Sequence, residues 1–560
     1  MVSFFKRDWV FLLTILPWIM GAQSFTRHDS LRGSITPERQ WWDLQHYTLD
    51  VALSIEQKSI FGSNTIRYRV NAEQPQGRNS ALIFQDGLRM QIDLQAPMNI
   101  DSIKQDGQLL SFSKDGAAHF VKLIKPHKVN QEDSLICYFS GTPIEAKNPP
   151  WDGGFTWETD ELGRAFIANA NQGIGASVWW PNKDHPSDEP DRGIDLKITL
   201  PKPLVAVGNG RLVGITDLSQ DLHRYHWRVI SPINNYGVNI NVGHYNKFSE
   251  QYPGLGGNLD CSYWVLDYNL EQAKAQFAQV SMMLEAFEYW FGPYPFYEDG
   301  YQLVEVPYLG MEHQSSVTYG NGYRNGYRGT DLSGSGWGMT FDFIIIHESG
   351  HEWFANNITN KDVADMWIHE GFTAYSENLF LNYFHGTEAS SAYVLGTKKR
   401  IMNDRPIVGP YGVNKEGSSD MYYKGANILH TLRQLIENDQ QWRQILIGLN
   451  SEFRHKTVTT DQIEHYISKA TGIDLTEFWE QYLRRANIPV FDYLIDQNTL
   501  KYRYLDVVDG FDMPLKVNIN DETLWLYPNK TWQSLTAAQP LKTFAIDPNF
   551  LVTTRIETQD

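Results

Sequence analysis

A change of hydrophobic period along the chain limits its fold more than any other feature. From about Gln40 to Tyr245, short alternating runs separated by Gly, Pro, Asn and Asp predict β-strands. From about residue 268 the apolar residues recur at helical spacing, first in Leu270–Phe291, which stops at Gly292. After Pro489 the strand-like pattern returns. The order β, then mostly α, then β predicts a multidomain α+β protein.

The length of the chain agrees with that division. A chain of 560 residues is long enough for about three domains. We predict a leader at 1–22, an N-terminal β domain at 23–247, a mostly helical domain at 248–488 and a small C-terminal β module at 489–560.

Within these regions the pattern predicts individual elements. A Gly-, Tyr- and Ser-rich stretch, Tyr319–Gly338, is typical of a long loop near a site or of a strand pair with wide turns. The further predicted helices are Phe341–Asn356, Met366–Phe384, Tyr422–Glu437 and Thr459–Ala470, and the predicted C-terminal strands are Leu500–Val507, Leu515–Ile519 and Thr523–Tyr527.

The N-terminus has the composition of a secretory signal peptide. Lys6 and Arg7 precede the apolar run Trp9–Met20, and the small residues Gly21 and Ala22 follow it. The run is short for a bilayer-spanning helix, and no later stretch reaches that length. The pattern therefore indicates a secreted or periplasmic protein, and an uncleaved N-terminal anchor remains an alternative.

Charge and cysteine content exclude two classes of function. The net charge of −18 repels nucleic acid, so we expect no nucleic-acid partner. The negative charge mainly keeps the protein soluble, and a mild attraction of cationic peptides is a secondary effect. The only two cysteines, Cys137 and Cys261, are too few for a cysteine-built zinc site, and the sequence does not decide whether they pair.

The most specific motif is His347-Glu-Ser-Gly-His351, which follows a strongly apolar segment. Residues four apart on a helix share one face, so both imidazoles can reach a single metal ion. Glu348 lies beside the two ligands and is placed to take a proton from the attacking water. With 16 His in the chain, composition alone predicts roughly 0.03 such motifs.

A third ligand is predicted 18 residues beyond His351, at Glu370. Two imidazoles and one carboxylate are a catalytic zinc set that leaves one position open, so we expect one Zn²⁺ ion. We expect His369 to be structural. For Asp365 two roles stay open: it orients a metal ligand, or it caps a helix or lies at the surface.

Several separated segments resemble the zinc aminopeptidases of the aminopeptidase N type, and the resemblance spans most of the chain after the leader. The segments that carry it are Trp290-Phe-Gly-Pro-Tyr-Pro-Phe296, Gly310-Met-Glu-His313, His347-Glu-Ser-Gly-His-Glu-Trp-Phe354, His369-Glu-Gly-Phe-Thr373 and Tyr422-Tyr-Lys-Gly-Ala426.

The resemblance implies an amine-binding motif at the substrate's free end. The family's Gly-Ala-Met-Glu-Asn stretch corresponds here to Leu309-Gly-Met-Glu-His313, which makes Glu312 the carboxylate for the α-ammonium, with Gly310 and Met311 as further substrate-binding residues. The altered flanks leave the specificity of the first subsite open. The family's second amine-pocket residue, often Glu, corresponds to Gln172.

The resemblance also implies a tyrosine that stabilises the oxyanion. Tyr422 corresponds to the family's catalytic tyrosine, and the adjacent Tyr423 competes for the role.

By resemblance, the fold is an N-terminal β domain, a thermolysin-like catalytic domain and a C-terminal β-sandwich module. Larger family members continue into a long helical domain, so we expect a more open cleft here.

The function implied is a zinc-dependent aminopeptidase acting on peptides with a free N-terminus. A thermolysin-like zinc endopeptidase is the alternative within the same chemistry, and a catalytically silent family member acting as a binding scaffold is the alternative from another class. A family offshoot acting on a lipid epoxide has no separate support in the sequence. The preferred residue and the oligomeric state are not predicted.

Overall fold

The computed structural model describes residues 25–71, 88–124, 128–520 and 522–557. The predicted leader, 1–22, lies outside these ranges. Within them, no helix has both the length and the apolar character needed to cross a bilayer.

The N-terminal region is built on three sheets around its own apolar core, as the alternating pattern predicts. Its largest sheet is mostly antiparallel, and Trp42–Ser54 pairs in parallel with Ile194–Pro201. The eight strands of that sheet are, in spatial order, Arg211–Asp217, Leu222–Val229, Ile194–Pro201, Trp42–Ser54, Ser59–Val70, Glu132–Gly141, Asn99–Gln105 and Gln108–Leu109. The smaller sheets are Val205–Val207, Asn241–Gly243, Ala165–Ala170 and Gly154–Thr159, and Arg89–Asp93, Ala118–Lys122 and Phe112–Asp115. Two short helices, Arg27–Gly33 and Pro37–Gln40, precede them.

A five-stranded mixed sheet begins the middle region. Its strands are Tyr245–Gly254, Gly257–Leu266, Tyr301–Glu305, Val317–Tyr319 and the edge strand Gly310–Met311. The predicted boundary after residue 247 falls inside the first of these strands. The domain boundaries themselves stay predictions.

Helices pack against this sheet over one large apolar core. The predicted helix Leu270–Phe291 is two helices that divide at Ala278 and end at Gly292, whose φ of 88° suits a residue without a side chain. The helices are Leu270–Phe277, Gln279–Phe291, Phe343–Gly350, Trp367–Thr397, Tyr423–Ile436, Asp439–Glu452, Thr460–Thr471 and Thr476–Arg484. A two-stranded parallel sheet pairs Ile358–Asn360 with Lys456–Val458.

The C-terminal strands form two small sheets that share the core of the helical region. Tyr482, on the last helix, donates its hydroxyl proton to the carbonyl of Leu551 at 2.7 Å. The sheets are Gln533–Thr536, Thr499–Leu505, Val490–Asp496 and Thr553–Ile556, and Glu522–Leu526, Leu515–Ile519 and Phe544–Ile546. The protein is therefore a multidomain α+β molecule with a β-rich N-terminal part, a helical middle part and C-terminal strands.

Both cysteines are buried free thiols in separate sheets. Cys137 lies in Glu132–Gly141 and Cys261 in Gly257–Leu266.

Candidate metal and peptide site

The helix Phe343–Gly350, here named the motif helix, is buried along its whole length. Asp342 caps its first turn by accepting hydrogen bonds from the backbone N–H groups of Ile344 at 3.1 Å and Ile345 at 3.4 Å. The helix ends at His351, one turn after His347, so both imidazoles lie on the same face.

The structure brings His347 and His351 together with Glu370. One potential ligand atom from each of the three residues lies within 4.8 Å of the other two. Glu370 Oε2 is 3.8 Å from His347 Nε2 and 3.5 Å from His351 Nε2. That carboxylate oxygen is buried and has no hydrogen-bond partner within the part of the chain that the structure describes. A buried orphan oxygen facing two imidazole nitrogens fits a Zn²⁺ site by both donor type and arrangement.

The opposite ring nitrogen of each histidine is already occupied. His347 Nδ1–H donates to Glu377 Oε1 at 2.7 Å, and His351 Nδ1–H donates to the carbonyl of Phe354 at 3.0 Å. These bonds select the tautomer in which Nε2 is free to ligate. Sequence reasoning missed Glu377, although its position two turns after Glu370 on one helix was a usable signal.

The two polar neighbours of Glu370 lie away from the ligand atoms. The side chain of His369 accepts a hydrogen bond at Nε2 from the backbone N–H of Asn360 at 2.7 Å, so it fixes a neighbouring strand. Asp365 accepts from the backbone N–H and the hydroxyl of Thr460, at the start of the helix Thr460–Thr471. Of the two roles left open for Asp365, the contacts match capping.

Gln172 links the amine-binding candidate to the metal ligands. Its Nε2 donates to Glu312 Oε1 at 2.9 Å and to Glu370 Oε1 at 2.8 Å. Burial raises the pKa of the Glu312 carboxyl to about 7. Glu312 is 1% exposed as a residue, and the Asn356 side chain donates to the Glu312 backbone carbonyl at 2.9 Å.

Gly310 and Met311 form the edge strand that delivers Glu312 to the cleft. They pair with Tyr319 and Thr318. A Cβ at Gly310 would lie 2.7 Å from Ile344 Cγ2 and 3.2 Å from Glu348 Cγ. A side chain at this position would have to displace Ile344, so the absence of a Cβ favours the close approach of this strand to the motif helix.

Glu348 lies close to both His351 and Glu312. Potential ligand atoms of Glu348, Glu312 and His351 lie within 4.8 Å of one another. Burial raises the pKa of the Glu348 carboxyl, with the positive charges of the two motif histidines opposing that rise. A carboxyl group with a raised pKa in this place is suited to accept and return a proton.

Tyr422 and Tyr423 both line the cleft, but different charged side chains act on their phenol groups. Tyr422 stacks on the His347 ring with 6.1 Å between ring centres. Burial raises the pKa of the Tyr422 phenol well above its usual value, and the charges of Glu370 and Glu312 add to the effect. The phenol thus stays protonated as a donor beside the ligands. For Tyr423, burial also raises the pKa of the phenol, but the charges that act on it are those of Glu377, which adds to the rise, and Arg400, which opposes it.

The donor set and the motif spacing define a class of site, the two-His, one-Glu metal centre with an adjacent carboxylate. In agreement, residues 276–482 match the peptidase family M1 domain. The chain therefore contains a peptidase family M1 domain.

The curated relatives of the chain are distant in sequence. "Probable aminopeptidase 1" of Sulfurisphaera tokodaii is 20% identical over 488 residues, covering 83% of this chain and 58% of that protein. Leukotriene A-4 hydrolase of Xenopus laevis is 25% identical, covering 52% and 49%. Leucine aminopeptidase 2 of Saccharomyces cerevisiae is 24% identical, covering 79% and 64%. The chain thus spans only about half to two thirds of the length of these relatives.

A solved structure shares the fold. The M1 zinc metallopeptidase from Deinococcus radiodurans superposes with a TM-score of 0.66 at 19% identity, covering 80% of this chain and 95% of that one. A variant of it was solved with a bound Tyr-Ser-Ala substrate.

Proposed function

We propose that this protein is a zinc-dependent aminopeptidase that hydrolyses the first peptide bond of substrates with a free N-terminus. One observation carries the proposal: Gln172 bonds to both Glu312 and Glu370, so the amine-binding carboxylate lies next to the metal ligands. An ammonium group held there brings the bond one residue further along to the reacting centre.

The free α-ammonium is held by two residues. The buried Glu312 carboxylate accepts charge-assisted hydrogen bonds from it. The Gln172 amide donates its N–H groups to two carboxylates, which leaves its carbonyl oxygen to accept from the ammonium. A neutral amide adds no charge to a site already rich in carboxylates.

His347, His351 and Glu370 are the residues that would hold the metal. When bound, Zn²⁺ supplies Lewis acidity, which polarises the scissile carbonyl and makes water a better nucleophile. Glu348 accepts the proton of the attacking water and returns it to the leaving amine. Tyr422 donates its phenolic proton in a hydrogen bond to the oxygen that becomes negative in the transition state.

The direct test compares fluorogenic aminoacyl amides with their N-acetylated twins, before and after chelation. We expect turnover of the free amines alone, its loss after zinc removal and its return when zinc is added back. Cleavage of capped peptides at internal bonds would favour the endopeptidase alternative. Stoichiometric zinc without any turnover would favour the scaffold alternative.

We also propose export of the protein, on the basis of the N-terminal sequence alone. The basic pair, the apolar run and the small-residue exit within residues 1–22 support cleavage after Ala22. Mass spectrometry of the exported protein would give an N-terminus at Gln23, an exported chain that begins at Met1 would favour the uncleaved anchor, and a chain that is not exported would contradict the proposal.

A further inference from the structure

The substrate cleft contains many acidic groups and a single strong base. Its lining includes five carboxylate side chains, those of Glu312, Glu348, Glu370, Glu377 and Asp420. Arg400 is the only Lys or Arg among the described residues that line it. In a chain of net charge −18, such a cleft repels anionic substrates unless that one cation receives them.

The Arg400 side chain is held in place but not neutralised. Its Nε–H donates to the backbone carbonyl of Leu332 at 2.7 Å. Within the described ranges it forms no ion pair at 4.0 Å or less with a carboxylate. The two terminal nitrogens therefore remain available as a planar pair of donors, the arrangement that binds a carboxylate through two hydrogen bonds.

The chain that follows Arg400 is anchored by a buried carboxylate. Asp420 accepts hydrogen bonds from the backbone N–H groups of Met402 at 2.8 Å and Asn403 at 2.6 Å. These bonds use the Asp420 oxygens for the turn itself. Asp420 thus fixes the segment that carries Arg400 without pairing with its guanidinium.

Arg400 lines the cleft together with Tyr422 and Tyr423. Its positive charge opposes the rise in pKa that burial gives the Tyr423 phenol. Tyr422, the residue before Tyr423, stacks on His347 at the reacting centre. The cleft volume of about 520 Å³ is that of a small-ligand pocket, large enough for a short peptide.

We propose that Arg400 is a specificity-determining residue that binds a substrate carboxylate on the far side of the scissile bond from the amine. This inference rests on the proposed function. The carboxylate is either the C-terminal group of a dipeptide or tripeptide, or an acidic side chain just after the released residue. The site thereby has a cation receptor at one end, Glu312 with Gln172, and an anion receptor at the other.

The test measures kcat and KM for three matched substrates. They are a tripeptide with a free C-terminus, its C-terminal amide, and an amide with Asp or Glu in the second position. For the wild-type enzyme we expect kcat/KM to be about tenfold higher for a substrate with a carboxylate, mainly through KM. The advantage should shrink with added salt, because Arg400 is exposed.

The variants assign that advantage to one side chain. Arg400→Met should remove the difference in kcat/KM between the carboxylate substrates and the neutral amide, and Arg400→Lys should keep part of that difference. Arg405→Met is the matched control, because Arg405 is on the same segment but does not line the cleft. If only the tripeptide with a free C-terminus loses its advantage in Arg400→Met, the bound carboxylate is the C-terminal group. If only the substrate with Asp or Glu in the second position loses it, the bound carboxylate is that side chain.

The outcomes separate this inference from the proposed function. Equal kcat/KM values for the acids and the neutral amide in the wild type, or an advantage that survives Arg400→Met, overturn the role of Arg400 while the aminopeptidase stands. No release of an N-terminal residue from any of the three substrates would instead contradict the proposed function.

Discussion

At the scale of single residues, the two motif histidines differ in what holds them. His347 donates to the carboxylate of Glu377, which the hydroxyl of Tyr393 also contacts, whereas His351 donates to a backbone carbonyl. A carboxylate partner fixes the ring orientation and increases the basicity of the ligating nitrogen. The Glu377 carboxylate thus orients the His347 ring.

Replacing that carboxylate should weaken metal binding specifically. We expect Glu377→Ala to lower zinc affinity by about 10- to 100-fold, because His347 loses the partner that orients it. Competition with a chromogenic chelator measures this. Asp365→Asn is the control, since Asp365 contacts Thr460 and no ligand, and it should leave zinc affinity unchanged. Equal affinities for wild type and Glu377→Ala would refute the role of Glu377.

At the scale of elements, the site depends on a close crossing of two helices. The helix that carries Glu370, Trp367–Thr397, meets Tyr423–Ile436 at Gly371 and Gly425. A Cβ at Gly425 would lie 2.8 Å from Gly371 Cα, a backbone atom that cannot move aside cheaply. Because Gly371 follows Glu370 and Gly425 lies three residues after Tyr422, we expect this crossing to influence the separation of the Glu370 carboxylate and the Tyr422 phenol.

Adding a methyl group where the two helices cross should impair catalysis by displacing Tyr422. We expect Gly425→Ala to cost about 1–3 kcal/mol of stability by overpacking, and to lower kcat because Tyr422 moves away from the centre. Thermal melting and kinetics on an aminoacyl amide measure both effects. Gly214→Ala is the control, because nothing lies within 4 Å of its added methyl group. Unchanged kcat in a folded Gly425→Ala protein would show that the crossing does not position the phenol.

Elements with strong local signals were predicted from the sequence, and those set by packing were not. The motif spacing gave both histidines, and the helix Thr460–Thr471 lies within one residue of its predicted ends. The helix Asp439–Glu452 was missed although Trp442, Ile445, Leu446 and Leu449 have helical spacing. Thr476–Arg484 has nine residues, too few for periodicity to decide. The contact of Glu377 with His347 depends on how two helices pack against each other. The residue pattern of a single helix does not predict that packing.

At the scale of the whole molecule, the proposed amine-binding end lies where the N-terminal region meets the middle region. A small apolar cluster joins Ala168 and Ala170 to Val306, Tyr308 and Met311. The Tyr308 hydroxyl also donates to the carbonyl of Asn169 at 2.8 Å. This junction brings the loop that carries Gln172 to the edge strand before Glu312, a placement that the sequence alone indicated only through the family resemblance.

The most direct measurement of the central claim is the activity of Glu312→Gln on a free peptide, with its zinc content determined in the same sample. Loss of a charged hydrogen-bond partner of the ammonium should raise the activation free energy by about 2 kcal/mol, which lowers kcat/KM roughly thirtyfold. One zinc per chain should be retained. The N-acetylated peptide serves as the control and should stay uncleaved. Full activity of the zinc-loaded variant on the free peptide would contradict the account.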